Sequence, residues 1–111
     1  MSQDEAMTPG VPGPPPACGL CGRSMDDLTR HHLIPRKQHR RKRIRRLFSR
    51  SEREQRILWV CRPCHDHIHK HFDEQTLAER LNTAEALLAE PVVQDFVVWI
   101  ARHPPGFKPR S

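Results

Sequence analysis

The sequence predicts an α+β fold: a small domain stapled by a metal, followed by a helical hairpin. Three observations carry this reading. Cys18 and Cys21 form one C-x2-C pair and Cys61 and Cys64 a second, with 39 residues between the pairs. Residues 28–34 and 57–60 are short apolar runs of strand length, the second rich in β-branched side chains. From residue 73 onward, apolar positions recur at helical spacing.

Taken in order, residues 1–17 hold five of the eleven prolines and almost nothing to bury, which predicts a disordered or polyproline-like tail. The first cysteine pair follows, then an acidic turn at Asp26 and Asp27, then the strand within 28–34. Residues 36–50 read as an extended loop, or as a helix if Ile44, Leu47 and Phe48 share an apolar face. The second strand, 57–60, leads into the second cysteine pair, and a helix after Cys64 carries a run of histidines. Asp73 is placed to cap a helix through about Ala89, with Leu77, Leu81, Ala84, Leu87 and Leu88 on one stripe. Pro91 then stands where a first helical residue should. It opens a helix through about Arg102 that buries Val92, Val93, Phe96 and Ile100, until Pro104-Pro105-Gly106 stops it. The expected organisation is a tail over 1–17, a metal-stapled domain over 18–72, a helical hairpin over 73–103 packing on it, and a tail over 104–111. There is no internal repeat.

Composition limits the partners. With 36% hydrophobic residues, 5% aromatics and no tyrosine in 111 residues, the core is thin, and thin cores of this size need a staple. No apolar run approaches 18 residues, and Asp4 and Glu5 stand where a signal peptide would be basic, so no membrane span or secretory signal is expected. A cytoplasmic address follows, nucleoid-associated if the source is prokaryotic. There thiols stay reduced, and paired cysteines are metal ligands and not disulfides. The net charge of +6 is concentrated: residues 36–50 contain nine Arg or Lys and no acid, so the rest of the chain carries −3. One cationic strip on a slightly acidic body is the footprint expected for a polyphosphate partner.

Two C-x2-C knuckles supply four sulfurs, which suit one tetrahedral zinc. That leaves the histidines over. In a helix from the second knuckle, His65 and His69 share one face, and His67 and His71 share another, rotated by about 200°. The first pair is anchored directly to Cys64; the second reads as solvated side chains. His31 and His32, ahead of Pro35, lie on a strand, where neighbouring side chains point to opposite faces. One can therefore bind a metal while the other contacts something else. Three histidines around a divalent cation, beside an uncoordinated imidazole able to take a proton, form a hydrolytic constellation.

The pattern His31-His32-Leu-Ile-Pro-Arg, followed by Cys61-x2-Cys64-His65-x3-His69, resembles the HNH endonuclease family with its ββα-metal fold. It is similar to the branch in which two cysteine pairs bind structural zinc. The resemblance covers residues 18 to about 72. It implies Cys18, Cys21, Cys61 and Cys64 as ligands of a structural Zn2+. It also implies His31, His65 and His69 as ligands of a catalytic divalent cation (Mg2+, Mn2+, Ni2+ or Zn2+), and His32 as general base. The partner it implies is DNA in preference to RNA, met by Arg36, Lys37, His39, Arg40, Arg41, Lys42, Arg43, Arg45 and Arg46, with no membrane involved. One position departs from the family pattern: the asparagine that braces the base-bearing loop, nine residues before the first helix histidine, is Arg56 here. Gln55 and Asn82 are the candidate substitutes.

Two other readings compete. A non-catalytic zinc-ribbon module binding nucleic acid through the strip explains the cysteines and arginines, but leaves His31, His32, His65 and His69 as coincidences. The other is an interaction or antitoxin-type adaptor that uses the helical hairpin as a docking face.

Overall fold

In the computed structural model, which describes residues 13–109, strands β1 (Thr29–His32) and β2 (Ile57–Val60) pair antiparallel. Thr29 faces Val60 and His32 faces Ile57, so the first knuckle's exit strand lies beside the second knuckle's entry strand. The pairing, not sequence proximity, brings the two cysteine pairs together. The first knuckle is a tight turn closed by Cys18 N–H to Arg23 C=O at 3.0 Å and by a bridge between Ala17 and Ser24. Gly22 takes φ +80° there. Gly19 donates to the Trp59 carbonyl at 2.8 Å, and a Cβ on it would stand 2.7 Å from Leu58 Cδ1. A side chain at Gly19 would displace the Leu58 side chain and crowd the Trp59 carbonyl at 3.1 Å.

The cationic strip is helical, not an extended loop. A 3-10 helix (Arg36–Arg40) leads into α1 (Lys42–Leu47), then α2 (Arg50–Gln55). A capping box between Ser49 and Glu52 opens α2. Ile44 is fully buried against Ile34 and Ala78, with Phe48 partly covered beside it, but Leu47 is 53% exposed. The apolar face that makes this segment a helix is thus narrower than Ile44, Leu47 and Phe48 together.

Helix α3 (Arg62–His71) starts at the second knuckle, with Cys61 as its N-cap and Pro63 in the first turn, so it begins before Cys64 and not after it. The expected single helix from Asp73 to Ala89 is two helices, α4 (Glu74–Arg80) and α5 (Ala84–Leu88). Asp73 does cap the first, accepting from Thr76 N–H at 2.8 Å. The chain breaks because Asn82 turns its amide back onto the Ala78 carbonyl at 2.8 Å and Thr83 accepts from Ala86 N–H as a fresh N-cap. The leucine stripe survives the break: Leu77, Leu81 and Leu87 are all buried. Helix α6 (Pro91–Ala101) begins at Pro91 as the sequence requires, burying Val93 and Ile100 fully and Val92 and Phe96 in part.

The main core joins Cys18, Cys61 and Cys64 to Val60, Ile68, Leu77, Leu87 and Ile100, so the four-cysteine centre is part of the hydrophobic core. Residues 104–109 are not a loose tail, since Phe107 packs against that core and donates its N–H to the Pro104 carbonyl at 3.0 Å. The expected disordered tail lies outside the described residues over 1–12; Ala17 already belongs to the fold. Among the described residues, no helix is long and apolar enough to cross a membrane.

Candidate metal centres and the adjoining cationic cleft

The sulfurs of Cys18, Cys21, Cys61 and Cys64 all lie within 4.8 Å of one another. Cys21 Sγ and Cys61 Sγ are 3.8 Å apart, close to the edge of about 3.8 Å expected for a tetrahedron with metal–sulfur bonds of about 2.3 Å. Cys18 Sγ accepts N–H groups from Leu20, Cys21 and Cys61 at 3.3–3.4 Å, which favours its thiolate. Sulfurs this close cannot all ionise unaided: hydrogen bonds from the Cys61 and Cys64 thiols lower the Cys18 pKa, while donating to Cys18 raises Cys61 to about 11 and raises Cys64 further. A divalent cation resolves that conflict, and these four residues can hold a structural metal.

Arg23, which no motif in the sequence singles out, closes over this centre. Its side chain is 6% exposed, with Nη2 3.4 Å from Cys61 Sγ and Nη1 donating to the Pro104 carbonyl at 2.7 Å. Burial works against the guanidinium charge, but hydrogen bonds to Cys61 and Cys21 outweigh it and raise the pKa.

The second cluster forms where β1 crosses α3. Ring centroids of His31, His65 and His69 are 5.0–5.3 Å apart, and one nitrogen from each lies within 4.8 Å of the others. His31 is fully buried, and neither of its ring nitrogens has a hydrogen-bond partner among the described residues. Leaving buried polar atoms unpaired costs about 1–3 kcal/mol. Burial, with repulsion from His65 and His69, pushes the His31 pKa down to about 3; burial, with repulsion from His69, pushes His65 to about 4. Both imidazoles are therefore neutral and carry free lone pairs at neutral pH.

Thr29 orients one of them. Its hydroxyl donates to the Val60 carbonyl at 3.0 Å and lies 2.9 Å from His65 Nδ1. A carbonyl only accepts, so the hydroxyl proton goes to Val60 and Oγ1 receives Nδ1–H from His65. His65 is thereby set with its lone pair on Nε2, the tautomer a metal ligand needs. Thr29 shares a strand face with His31, but its partner His65 comes near only through the strand pairing.

His32 points the other way, as strand alternation requires, and stands between two clefts. One, of about 290 Å³, is lined by Arg30, Pro35, Arg36, Lys37, Glu74, His65 and His69 as well as His32. The other, of about 270 Å³, is lined by Arg30, Arg36, His39, Glu54 and Ile57 with His32. Partial burial, then the charges of Arg30, Arg36 and His39, lower the His32 pKa. It is an imidazole in a cationic surround. Arg30 shares its strand face and lines both clefts, although sequence reasoning passed over it.

All nine cations of the strip are exposed. Among the described residues, Arg43 (3.8 Å from Glu79) and Arg50 (2.9 Å from Glu54) are the ones with acidic partners. His39, expected as a site member, spends Nε2–H on the Ile34 carbonyl at 2.7 Å and borders the cleft with the rest of its ring. His67 is not a solvated side chain, because it stacks on Phe96 at 4.0 Å and donates Nε2–H to the Val92 carbonyl at 2.9 Å, pinning α6 to α3. His71 is exposed, 4.3 Å from His67. Arg56 turns away from His32: it donates to the main-chain carbonyl and Oδ1 of Asn82 and lies over the Phe48 ring. Asn82 therefore serves Arg56 and Ala78 and does not stand in for the bracing asparagine.

No family model and no solved structure matches the chain. The "Uncharacterized protein YisB" of Bacillus subtilis (strain 168) is 36% identical over 88 residues, covering 79% of this chain and 76% of that protein.

Proposed function

The chain belongs to the family of Bacillus subtilis YisB, and we propose that it is a metal-dependent HNH endonuclease of the ββα-metal fold. It hydrolyses DNA phosphodiester bonds with little sequence preference. The observation that carries this reading is His31, buried with two unpaired ring nitrogens between His65 and His69, at the edge of a cleft lined by His32, Arg30 and Arg36. A histidine that only filled the core would have its nitrogens satisfied.

In this reading His31, His65 and His69 would hold one divalent cation, which when bound would supply charge neutralisation at the scissile phosphate. Thr29 keeps His65 in the ligating tautomer. Arg30, Arg36 and Lys37 take the phosphate oxygens, and Arg40, Arg41, Lys42, Arg43, Arg45 and Arg46 extend the contact along the backbone, which positions DNA without reading it. His32, neutral beside these cations, removes a proton from the attacking water. The HNH resemblance implies products with a 5′ phosphate and a 3′ hydroxyl. Zinc in the four-cysteine centre holds the two knuckles together; such sites contribute about 10–16 kcal/mol in small peptides at neutral pH.

The test is incubation of purified protein with supercoiled plasmid across Mg2+, Mn2+, Ni2+ and Zn2+, alongside His32→Ala and His65→Ala. The parent should nick and linearise the plasmid. His32→Ala should retain DNA binding but lose cleavage by about 10²–10⁴-fold, whereas His65→Ala should lose the histidine-bound metal with the activity. Absence of cleavage by the parent in every metal, with DNA binding and one tightly held zinc, would leave the non-catalytic zinc-ribbon module as the function.

A further inference from the structure

Arg23 stands outside everything the nuclease reading uses, and it is the most deeply buried cation among the described residues. A buried guanidinium needs an anion, and the groups facing this one are the sulfurs of Cys61 and Cys21 and the carbonyl of Pro104. The geometry points to Arg23 as the internal counter-charge of the four-cysteine centre, which also straps the C-terminal segment 103–109 to that centre.

Charge balance supports the first half. Four thiolates around one divalent cation carry two net negative charges inside the core, where burial of a bare anion is costly. The sulfurs are nearly inaccessible at Cys18, Cys61 and Cys64, so solvent screens them little. One guanidinium at 3.4 Å halves that excess and donates to the ligand sulfur. The backbone fixes the placement: the Arg23 carbonyl closes the first knuckle by accepting Cys18 N–H, so its side chain is anchored to the turn it neutralises.

The strap follows from the other arm of the fork. Nη1 donates to Pro104 C=O at 2.7 Å, and the same carbonyl accepts Phe107 N–H at 3.0 Å. Phe107 stacks on His103 at 4.1 Å and packs on the core. Gly106, at φ +93°, allows the chain to turn back over this carbonyl. When the sulfurs are metal-bound thiolates, Arg23 is held and the segment docks. Losing the metal loosens the two knuckles between which Arg23 is held, so the segment loses a fixed anchor at Pro104. By reciprocity, loosening the segment must weaken the metal.

The test measures zinc affinity by competition with a chromophoric chelator, and amide hydrogen exchange over 103–109 by mass spectrometry, in the full chain. Arg23→Gln should bind zinc roughly 10–100-fold more weakly, the usual effect of removing a partner of a metal ligand. Its 103–109 amides should exchange faster, and Arg23→Lys should recover part of both. Stripping zinc from the parent should accelerate exchange in the same segment. If Arg23→Gln does not fold, Phe107→Ala carries the test, because it loosens the segment without touching a knuckle and should still weaken zinc severalfold. Parent-like zinc affinity in the folded variant, or 103–109 amides as protected as in the parent, overturns the inference. Neither readout depends on DNA cleavage.

Discussion

The main-chain carbonyl of Arg56 accepts the amide of Leu33 at 2.9 Å, one step beyond the last strand pair, His32 with Ile57. The residue after His32 is thus held by backbone, at the position where the HNH resemblance leads one to expect an asparagine side chain. A second clamp follows at once, since His39 Nε2–H holds the Ile34 carbonyl at 2.7 Å. With the strand pairing ahead of it and these two bonds just after it, the segment carrying His32 is held on both sides without any side chain from Arg56, Gln55 or Asn82.

The two clamps should respond differently to mutation. Arg56→Ala removes bonds to Asn82 but keeps the carbonyl, so it should cost about 1 kcal/mol and leave Leu33 amide exchange unchanged. His39→Ala strands a carbonyl of the buried Ile34 and should cost about 1–3 kcal/mol while mobilising residues 33–35. Thermal unfolding with site-resolved hydrogen exchange separates the cases; faster Leu33 exchange in Arg56→Ala would show that the side chain matters after all.

Thr29→Val keeps the strand and its shape but removes the acceptor for His65 Nδ1–H. His65 can then adopt either tautomer, so affinity for a divalent cation at the histidine cluster should fall about 10–100-fold, with far-UV dichroism unchanged. Calorimetric titration of Mn2+ or Ni2+ into zinc-loaded protein reads this directly. Equal affinity in parent and variant would remove Thr29 from the site.

Which parts of this were legible in the sequence follows from the range of the interactions. The C-x2-C knuckles and the His65/His69 pair are set by spacing within one turn or one helix, and 57–60 is a strand by composition alone. Thr29, Arg30 and Arg23 were not legible, because their roles depend on partners brought near by the strand pairing: Thr29 meets a residue 36 positions away, and Arg23 one 38 positions away. The break at Asn82-Thr83 was a different failure. Both residues are cap formers, but the leucine stripe continues in phase across them, and periodicity outweighed a local hydrogen-bonding signal that in fact decides the backbone.

The strip should bind duplex DNA with a strong salt dependence. Contact with about five phosphates gives a slope of log K against log salt of roughly −4.5. Replacing Arg40, Arg41, Lys42 and Arg43 with Gln should flatten it, and binding should differ little between unrelated sequences. The substitutions lie on exposed positions of the 3-10 helix and α1 and spare Ile44, so folding should persist. Fluorescence anisotropy from about 50 to 300 mM salt measures the slope; an unaltered slope would move the DNA surface away from the strip.

Acid should destabilise the protein through the histidine cluster when no cation occupies it. His31 and His65 have pKa values pushed to about 3 and about 4, by burial first, then by His65, His69 and His32 around His31, and by His69 and Arg62 beside His65. Unfolded, both return to about 6.5. Their folded values are depressed, so stability is full above about pH 6.5 and is lost as pH falls towards 4, because the unfolded chain takes up two protons that the native state refuses. The limiting slope for two protons is about 2.7 kcal/mol per pH unit. His31→Leu removes one of the two and also removes a buried ring with unpaired nitrogens. It should therefore raise stability at pH 7.5 by about 1–3 kcal/mol and make the pH dependence shallower, while abolishing metal binding at the histidine cluster. Denaturant unfolding at pH 7.5, 6 and 5, with zinc at the cysteines and no other divalent ion, distinguishes the outcomes. A variant less stable than the parent at pH 7.5 would mean that His31 is a structural side chain, and that its unpaired nitrogens are not kept for a metal.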